Sequence, residues 1–235
     1  MTNGKLYLIP TPLGEGPMEA VLPASVFQLI PTLNCFVVEE VRTARRFLSA
    51  AGLRGKIEEL EFHELNEHTN PGEVEALASL FRDGRNVGLL SEAGLPAVAD
   101  PGALLVALCH RKGIEVVPMV GPSSLMMALM ASGLNGQSFA FKGYIPAKTD
   151  ERRSALKALE KRSASARETQ IMIETPYRND ALFADMLTTL SGNTRLCVAC
   201  NLTCPDEFIC TRTVSQWKAA PVTIGKRPCV FLILA

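Results

Sequence analysis

Short apolar runs alternate with helix-like segments through the first half of the chain, and this alternation constrains the fold more than any other feature. The runs at residues 6–9, 36–38, 87–90 and 116–119 are apolar and partly β-branched. Such composition is expected of strands that are buried on both faces. Strands that are separated by helices form a mainly parallel sheet, so the sequence predicts an N-terminal α/β domain.

Helix boundaries in this half are marked by residues with specific terminal roles. Asn70 is a candidate N-cap, Pro71 suits the first helical position, and Gly84 is a candidate stop. A second helix is predicted over residues 104–112 and closes at Gly113.

The pattern changes beyond Gly121, where Gly and Pro interrupt the alternation between residues 121 and 137. We expect helices over 123–132 and 150–162 and strands near 139–141, 170–173, 196–202, 208–214 and 229–234. The last three strands are joined by short connections containing Pro or Gly, which favours an antiparallel or mixed sheet. At 235 residues the chain can hold two modest domains, and we place them at 1–121 and 122–235.

The composition of the chain limits its expected partners and cellular compartment. The 24 basic residues balance the 24 acidic ones, so no global field indicates nucleic acid or a membrane. Seven cysteines, an odd number, favour a reducing compartment. The apolar runs at 6–9 and 125–131 are far shorter than the roughly 20 residues that a membrane span needs. We therefore expect a cytoplasmic protein without membrane contact.

A zinc site is the alternative use of the cysteines. Cys197, Cys200, Cys204 and Cys210 lie close together in the sequence. However, Cys197 and Cys200 fall in one predicted strand and should face opposite ways. We expect no bound metal and interpret most of these cysteines as small apolar core residues.

Three loops follow predicted parallel strands, at residues 11–14 (T-P-L-G), 91–96 (S-E-A-G-L-P) and 121–124 (G-P-S-S). In open α/β sheets ligands bind at this edge. Gly94 and Gly121 would let main-chain amides approach a ligand, and Ser123 and Ser124 open a helix whose amides can hold an anion. Ordinary turns and caps have the same composition, so that interpretation stays open. The G-x-G-x-x-G and P-loop signatures are missing, which argues against dehydrogenases and P-loop NTPases.

Charged residues form two further clusters and one basic stretch. Glu39 and Glu40 end a predicted strand, and Arg42, Arg45 and Arg46 follow on a helix. A second polar cluster, H-E-L-N-E at residues 63–67, follows a predicted strand. Structural ion pairing is the alternative for both. Residues 142–167 hold eight basic and three acidic residues, which suits either phosphate contact or a solvated helix face.

Taken in order, these motifs resemble the tetrapyrrole methylase superfamily, in particular the branch that methylates a ribose hydroxyl of small-subunit ribosomal RNA. The resemblance is carried by L-Y-L-I-P-T-P-L-G at 6–14, E-E-V-R at 39–42, H-E-L-N-E at 63–67, V-G-L-L-S-E-A-G-L-P at 87–96 with D-P-G at 100–102, V-P-M-V-G-P-S-S at 117–124, A-S-G-L at 131–134, G-Y-I-P at 143–146 and E-T-P-Y-R at 174–178. The chain departs from the family at Glu92, where Asp is usual, at Gly14-Glu15-Gly16 in place of G-N-L, and at residues 200–204, where C-N-L-T-C replaces R-E-L-T-K.

The resemblance implies a fold and a methyl donor. The fold would consist of two α/β domains, the first with a mainly parallel sheet flanked by helices and the second with a mixed sheet and helices, with the cofactor in a cleft between them. The implied donor is S-adenosylmethionine, whose sulfonium carries an activated methyl group, so the protein mainly has to position it. The residues implied to contact this donor are Pro12, Leu13, Glu92, Ala93, Gly94, Leu95, Ser123 and Ser124.

The resemblance also implies roles in catalysis and acceptor binding. A ribose hydroxyl needs a general base, for which Glu40 and His63 are the candidates. Phosphate contacts are expected from Arg42, Arg152, Arg153 and Arg178. The implied partners are ribosomal RNA or the small ribosomal subunit, and a second copy of the chain in a homodimer.

Two alternatives to ribosomal RNA methylation stay open. Neutral charge and the altered 200–204 segment favour a porphyrin, a corrin or another small molecule as acceptor. The other alternative is a non-catalytic module that binds the donor or docks on ribosomes.

Overall fold

A computed structural model describes residues 4–235 of the chain. The fold divides into two compact units, one ending at Ser123 and the other spanning Ser124–Ala235. The predicted domain boundary lies two residues before this division. In the part of the chain that the structure describes, no helix combines the length and the apolar character needed to cross a membrane.

The first unit is built on a five-stranded, fully parallel sheet. Its strands are β1 (Lys5–Ile9), β2 (Cys35–Val38), β3 (Glu61–Glu64), β4 (Val87–Leu90) and β5 (Glu115–Pro118), in the spatial order β3-β2-β4-β1-β5. The predicted parallel sheet is confirmed. The strand β3 is the strand predicted to precede residues 63–67, and its polar sequence E-F-H-E lies half-exposed at the sheet edge. His63 and Glu64 therefore lie within a strand, whereas the sequence placed them after one.

Four helices flank this sheet: α1 (Ala24–Leu29), α2 (Val41–Leu48), α3 (Pro71–Ala76) and α4 (Gly102–Lys112). Short 3-10 turns lie at Met18–Ala20, Ile30–Thr32, Ile57–Glu59 and Leu77–Gly84, and a π-helical turn lies at Ser49–Leu53. Asn70 caps α3 as predicted, since its Oδ1 accepts from the amides of Gly72 and Glu73 at 3.0 Å. Gly113 ends α4 in the left-handed conformation (φ 67°), also as predicted.

The sheet carries a hydrophobic core on each face. Alternate residues of β2 divide between them, with Cys35 and Val37 in one core and Phe36 and Val38 in the other. This explains why the strand is apolar without interruption. Gly88 in β4 allows Phe36 to pack closely, because a Cβ at Gly88 would lie only 2.7 Å from the ring.

The second unit contains a five-stranded mixed sheet, which confirms that prediction. Its strands are β6 (Phe139–Tyr144), β7 (Thr169–Ile173), β8 (Arg195–Cys200), β9 (Phe208–Thr213) and β10 (Cys229–Leu234), in the order β6-β7-β10-β8-β9. The pair β6 and β7 is parallel, and the other three pairs are antiparallel.

Helices α5 (Ser124–Ser132), α6 (Thr149–Ala166), α7 (Asn179–Thr189) and α8 (Val214–Ala219) complete this unit, with a 3-10 turn at Pro176–Arg178. Its core is centred on Trp217, which is fully buried. The Trp217 ring meets Phe183 edge to face at 5.4 Å, and its Nε1 donates to the carbonyl of Leu196 at 2.9 Å. Aromatic pairing and a satisfied indole make this a well-specified core.

Candidate functional site

The three loops predicted to form a ligand site meet at Gly94 in the first unit. Since β4, β1 and β5 are neighbours in one parallel sheet, their carboxyl ends lie side by side. Thr11 and Gly94 exchange two backbone hydrogen bonds, of 2.9 and 3.1 Å. A Cβ at Gly94 would lie 3.0 Å from Leu13 Cδ2 and 3.4 Å from the carbonyl oxygen of Pro122. Gly94 also has φ 79°, so a side chain there would be strained as well as crowded.

Gly121 closes the contact between the first and third loops. A Cβ at this position would overlap Pro10, at 2.2 Å from the proline Cβ. From the sequence, Gly94 and Gly121 were expected to let main-chain amides approach a ligand. The structure shows that both glycines also let the loops approach one another. The convergence of the loops therefore rests on backbone contacts that only glycine permits.

The residues predicted to hold the donor form an accessible rim around this meeting point. Gly94 is buried, Glu92 and Ala93 are exposed, and Pro12, Leu13, Leu95 and Ser123 are half-buried. Ser123 ends the first unit, and Ser124, also half-buried, begins α5 in the second. Seven of the eight residues lie on the loops of the first unit: six on the first two loops, and Ser123 at the end of the third loop.

Glu40, one of the two predicted bases, caps the N-terminus of α2. Its carboxylate accepts from the amides of Arg42 and Thr43, at 2.8 and 2.6 Å, and from the Thr43 hydroxyl at 2.5 Å. These hydrogen bonds, that of the Thr43 side chain foremost, lower the pKa of Glu40. The Thr43 hydroxyl also lies 3.4 Å from Glu92 Oε1, so Glu40 lies close to the second loop.

Glu39, the neighbour of Glu40, was not among the predicted bases. Its burial, together with the negative charge of Glu92, raises its pKa. A raised pKa makes a carboxylate a better proton acceptor near neutral pH. The E-E pair was visible in the sequence, but the backbone at the start of α2 decides that Glu40 caps the helix and leaves Glu39 to face Glu92.

Asp100, in the D-P-G segment, is a second carboxylate that the sequence argument left without a role. Burial raises its pKa, although its Oδ1 accepts from the amides of Ala97 and Gly102 at 2.8 Å. Its Oδ2 is buried and makes no hydrogen bond among the residues described. Asp100 and Glu67 add to the charge that raises the pKa of Glu39.

His63, the other predicted base, lies in β3. Its Nε2 is 2.6 Å from Glu61 Oε1, and Glu61 also pairs with Arg85. Because β2 lies between β3 and β4, His63 is one strand farther from the 91–96 loop than Glu40. Glu40, whose neighbour Thr43 lies beside Glu92, is therefore nearer to the 91–96 loop than His63 is.

The predicted phosphate-binding arginines differ in their surroundings. Arg152 is buried, and its Nε and Nη2 contact Asp185 Oδ2 at 2.6 and 2.5 Å. Arg153 is half-exposed and contacts the other oxygen of Asp185 at 2.7 Å. Arg178 pairs with Glu174 at 2.5 Å, whereas Arg42 is exposed on α2. Structural ion pairing, the alternative that the sequence left open, occurs at three of the four.

Cysteines do not gather into a site at residues 197–210 within the described structure. Cys200 instead faces Cys229 across β8 and β10, with sulfurs 3.3 Å apart. One group of three metal-ligand side chains, Cys35, Glu61 and His63, does lie within reach of a common ion. Burial raises the pKa of the Cys35 thiol to about 11, and Arg85 already neutralises Glu61. Neither feature favours a cation there.

Comparison with known proteins agrees with this architecture. A family model described as Tetrapyrrole (Corrin/Porphyrin) Methylases matches residues 5–217. The chain is 32% identical over 208 residues to Ribosomal RNA small subunit methyltransferase I of Escherichia coli O157:H7, covering 88% of this chain and 68% of that protein. The protein of the same name from Neisseria meningitidis serogroup B is 32% identical over 220 residues, covering 94% and 71%.

Solved structures with the same fold include the methyltransferase CobJ, with a TM-score of 0.63 and 14% identity over 98% of this chain and 94% of that one. Uroporphyrin-III C-methyl transferase from Thermus thermophilus, complexed with S-adenyl homocysteine, has a TM-score of 0.57 and 16% identity over 98% and 97%. These likenesses confirm the predicted fold of two α/β domains.

Proposed function

This chain belongs to the tetrapyrrole (corrin/porphyrin) methylase family, and we propose that it transfers the methyl group of S-adenosylmethionine to a ribose 2′-hydroxyl of small-subunit ribosomal RNA. Membership of the family confirms the predicted enzyme class, a methyltransferase. One observation carries the choice of acceptor: the relatives named Ribosomal RNA small subunit methyltransferase I align with 85% or more of this chain.

The loops that meet at Gly94 suit the proposed donor. They lie at the carboxyl edge of a parallel sheet, where ligands of open α/β proteins bind. Glu92 and Ala93 are exposed and Pro12 and Leu13 are half-buried, so the loops offer both polar and apolar contacts. Bound S-adenosylmethionine would supply an activated methyl group, since a sulfonium loses its methyl group by releasing a neutral thioether, a good leaving group. The donor contacts, including those of Ser123 and Ser124, and the cleft between the domains stay predictions.

The chain's own contribution to the chemistry is to orient the acceptor and take its proton. Transfer would form a bond from the ribose oxygen to the methyl carbon and break the carbon–sulfur bond of the donor, and the hydroxyl proton would pass to a base of this chain. Glu40 and His63 are the predicted bases, and we propose Glu39 as a third candidate. Of the two neighbouring glutamates, Glu39 is the better acceptor, because its pKa is raised while that of Glu40 is lowered.

Three single variants, Glu39→Gln, Glu40→Gln and His63→Ala, test the base. Each would be assayed for transfer of tritiated methyl groups to small ribosomal subunits across a pH series, with donor affinity measured by calorimetry as the control. Loss of the base should lower kcat by about 10²–10⁴-fold while donor affinity is retained. Full activity in all three variants would discard these assignments.

The same assay, offered a tetrapyrrole in parallel, tests the acceptor. Family membership and the C-N-L-T-C segment at 200–204 favour this second candidate. Methylation of the tetrapyrrole alone would refute the ribosomal RNA proposal, and donor binding without transfer to either acceptor would indicate a non-catalytic module. The homodimer, the cytoplasmic location and the phosphate contacts of Arg42, Arg152, Arg153 and Arg178 stay predictions.

A further inference from the structure

A short basic segment stands out in a chain whose net charge is zero. Residues 41–57 contain Arg42, Arg45, Arg46, Arg54 and Lys56 and no acidic residue. Glu39 and Glu40 precede this segment and Glu58 and Glu59 follow it, so any positive surface that it produces is confined to the segment itself. The function described above uses only Arg42 from this segment.

The fold gathers three of these arginines around one depression. Arg45 and Arg46 lie in the last turn of α2, and Arg54 follows the π-helical turn Ser49–Leu53. Gly52 in this turn has φ 114°, and Arg54, which follows the turn, lines the same depression as Arg45 and Arg46. The depression has a volume of about 770 Å³ and is lined by Arg45, Arg46, Ser49, Ala50, Gly52, Arg54 and Ile57.

Two of the three arginines, Arg46 and Arg54, form no ion pair among the described residues. Arg45 pairs with Glu58, but the Glu58 side chain is 85% exposed, and an exposed pair is readily exchanged for another anion. Arg46 and Arg54 are themselves exposed. Cations in the last turn of a helix stabilise it, which accounts for Arg45 and Arg46. It does not account for Arg54, which lies beyond the helix.

We propose that this depression binds phosphate groups along the backbone of the RNA acceptor, an inference that rests on the proposed function. A guanidinium group binds a phosphate with two parallel hydrogen bonds, so arginine suits this ligand better than lysine. Exposed cations spread across an open surface follow a backbone, whereas a free nucleotide is usually held by enclosed main-chain amides. Contacts of this kind fix the register of the RNA without reading its sequence.

The test compares two double variants that remove the same charge. Arg46→Ala/Arg54→Ala alters the depression, and Lys218→Ala/Lys226→Ala removes two exposed cations of the second unit. Affinity for a fluorescent fragment of small-subunit ribosomal RNA is measured by anisotropy over a salt series. The arginine variant should bind about tenfold more weakly, with the slope of log K against log salt reduced by about 1.4–1.8. The lysine control should match the unmodified chain.

Two further measurements distinguish failure of the proposed phosphate site from failure of the proposed function. Arg46→Lys/Arg54→Lys, which keeps the charge, should recover the salt slope but only part of the affinity. Unchanged affinity and slope in Arg46→Ala/Arg54→Ala would overturn the depression as an RNA site while methyl transfer by the unmodified chain still supports the proposed function. If the unmodified chain neither binds nor methylates the RNA, the proposed function fails, and this inference fails with it.

Discussion

The buried ion pair between Arg152 and Asp185 should contribute measurably to the free energy of unfolding of the second unit. Both side chains are only 7% exposed, and Arg152 Nη1 also donates to the carbonyl of Ala147 at 2.7 Å. Removing one partner of a buried pair strands the other charge, which costs about 3–5 kcal/mol. We expect Asp185→Ala, which strands Arg152, to lower the free energy of unfolding of the second unit by about this amount. Arg152→Ala leaves Asp185 paired with Arg153, so its loss should be smaller but still above about 1 kcal/mol.

Arg153→Ala provides the matched control, because Arg153 contacts the same carboxylate but its side chain is 49% exposed. An exposed pair contributes about 0–1 kcal/mol, so this variant should be nearly neutral. Urea unfolding followed by the fluorescence of Trp217, the single tryptophan, reports on the second unit. The double variant Arg152→Ala/Asp185→Ala should lose less than the sum of the singles. A loss below about 1 kcal/mol in Arg152→Ala would refute the structural role and return Arg152 to the phosphate-binding candidates.

Three further outcomes follow from particular contacts. Gly88→Ala should destabilise the first unit by about 1–3 kcal/mol, because the added Cβ would lie 2.7 Å from Phe36 and 2.9 Å from Ile9, and a lower melting temperature by calorimetry checks this. Asn70→Ala should cost about 0.5–2 kcal/mol through loss of the α3 cap, measured as a shift in the urea midpoint, and Asn70→Asp should retain most of that stability. Burial acts to raise the pKa of Asp185, but hydrogen bonds from Arg153 and Arg152 hold that pKa below its usual value. The stability that Asp185 contributes should therefore be complete at neutral pH and be lost as the pH falls below about 4, whereas Asp185→Asn should remove this dependence from the pH profile of unfolding.

The sequence by itself determined the features that depend on a few neighbouring residues. Uninterrupted apolar runs identified β4 and β10, Asn70 and Gly113 marked helix ends, and the order of the loop motifs indicated the family. Capping and strand burial are local effects, so the sequence alone is sufficient to read them. The convergence of the loops also followed from sequence, since parallel strands present their carboxyl ends at one edge.

Only the tertiary structure decided which charged groups are free to act. Arg152 looked like any other cation of a basic helix, and it became a buried structural residue because Asp185, 33 residues away in the chain, folds against it. Glu39 and Glu40 are adjacent and chemically identical, yet one caps α2 while the other faces Glu92. Burial and long-range partners set the pKa and availability of such groups, and neither is encoded in the residues beside them.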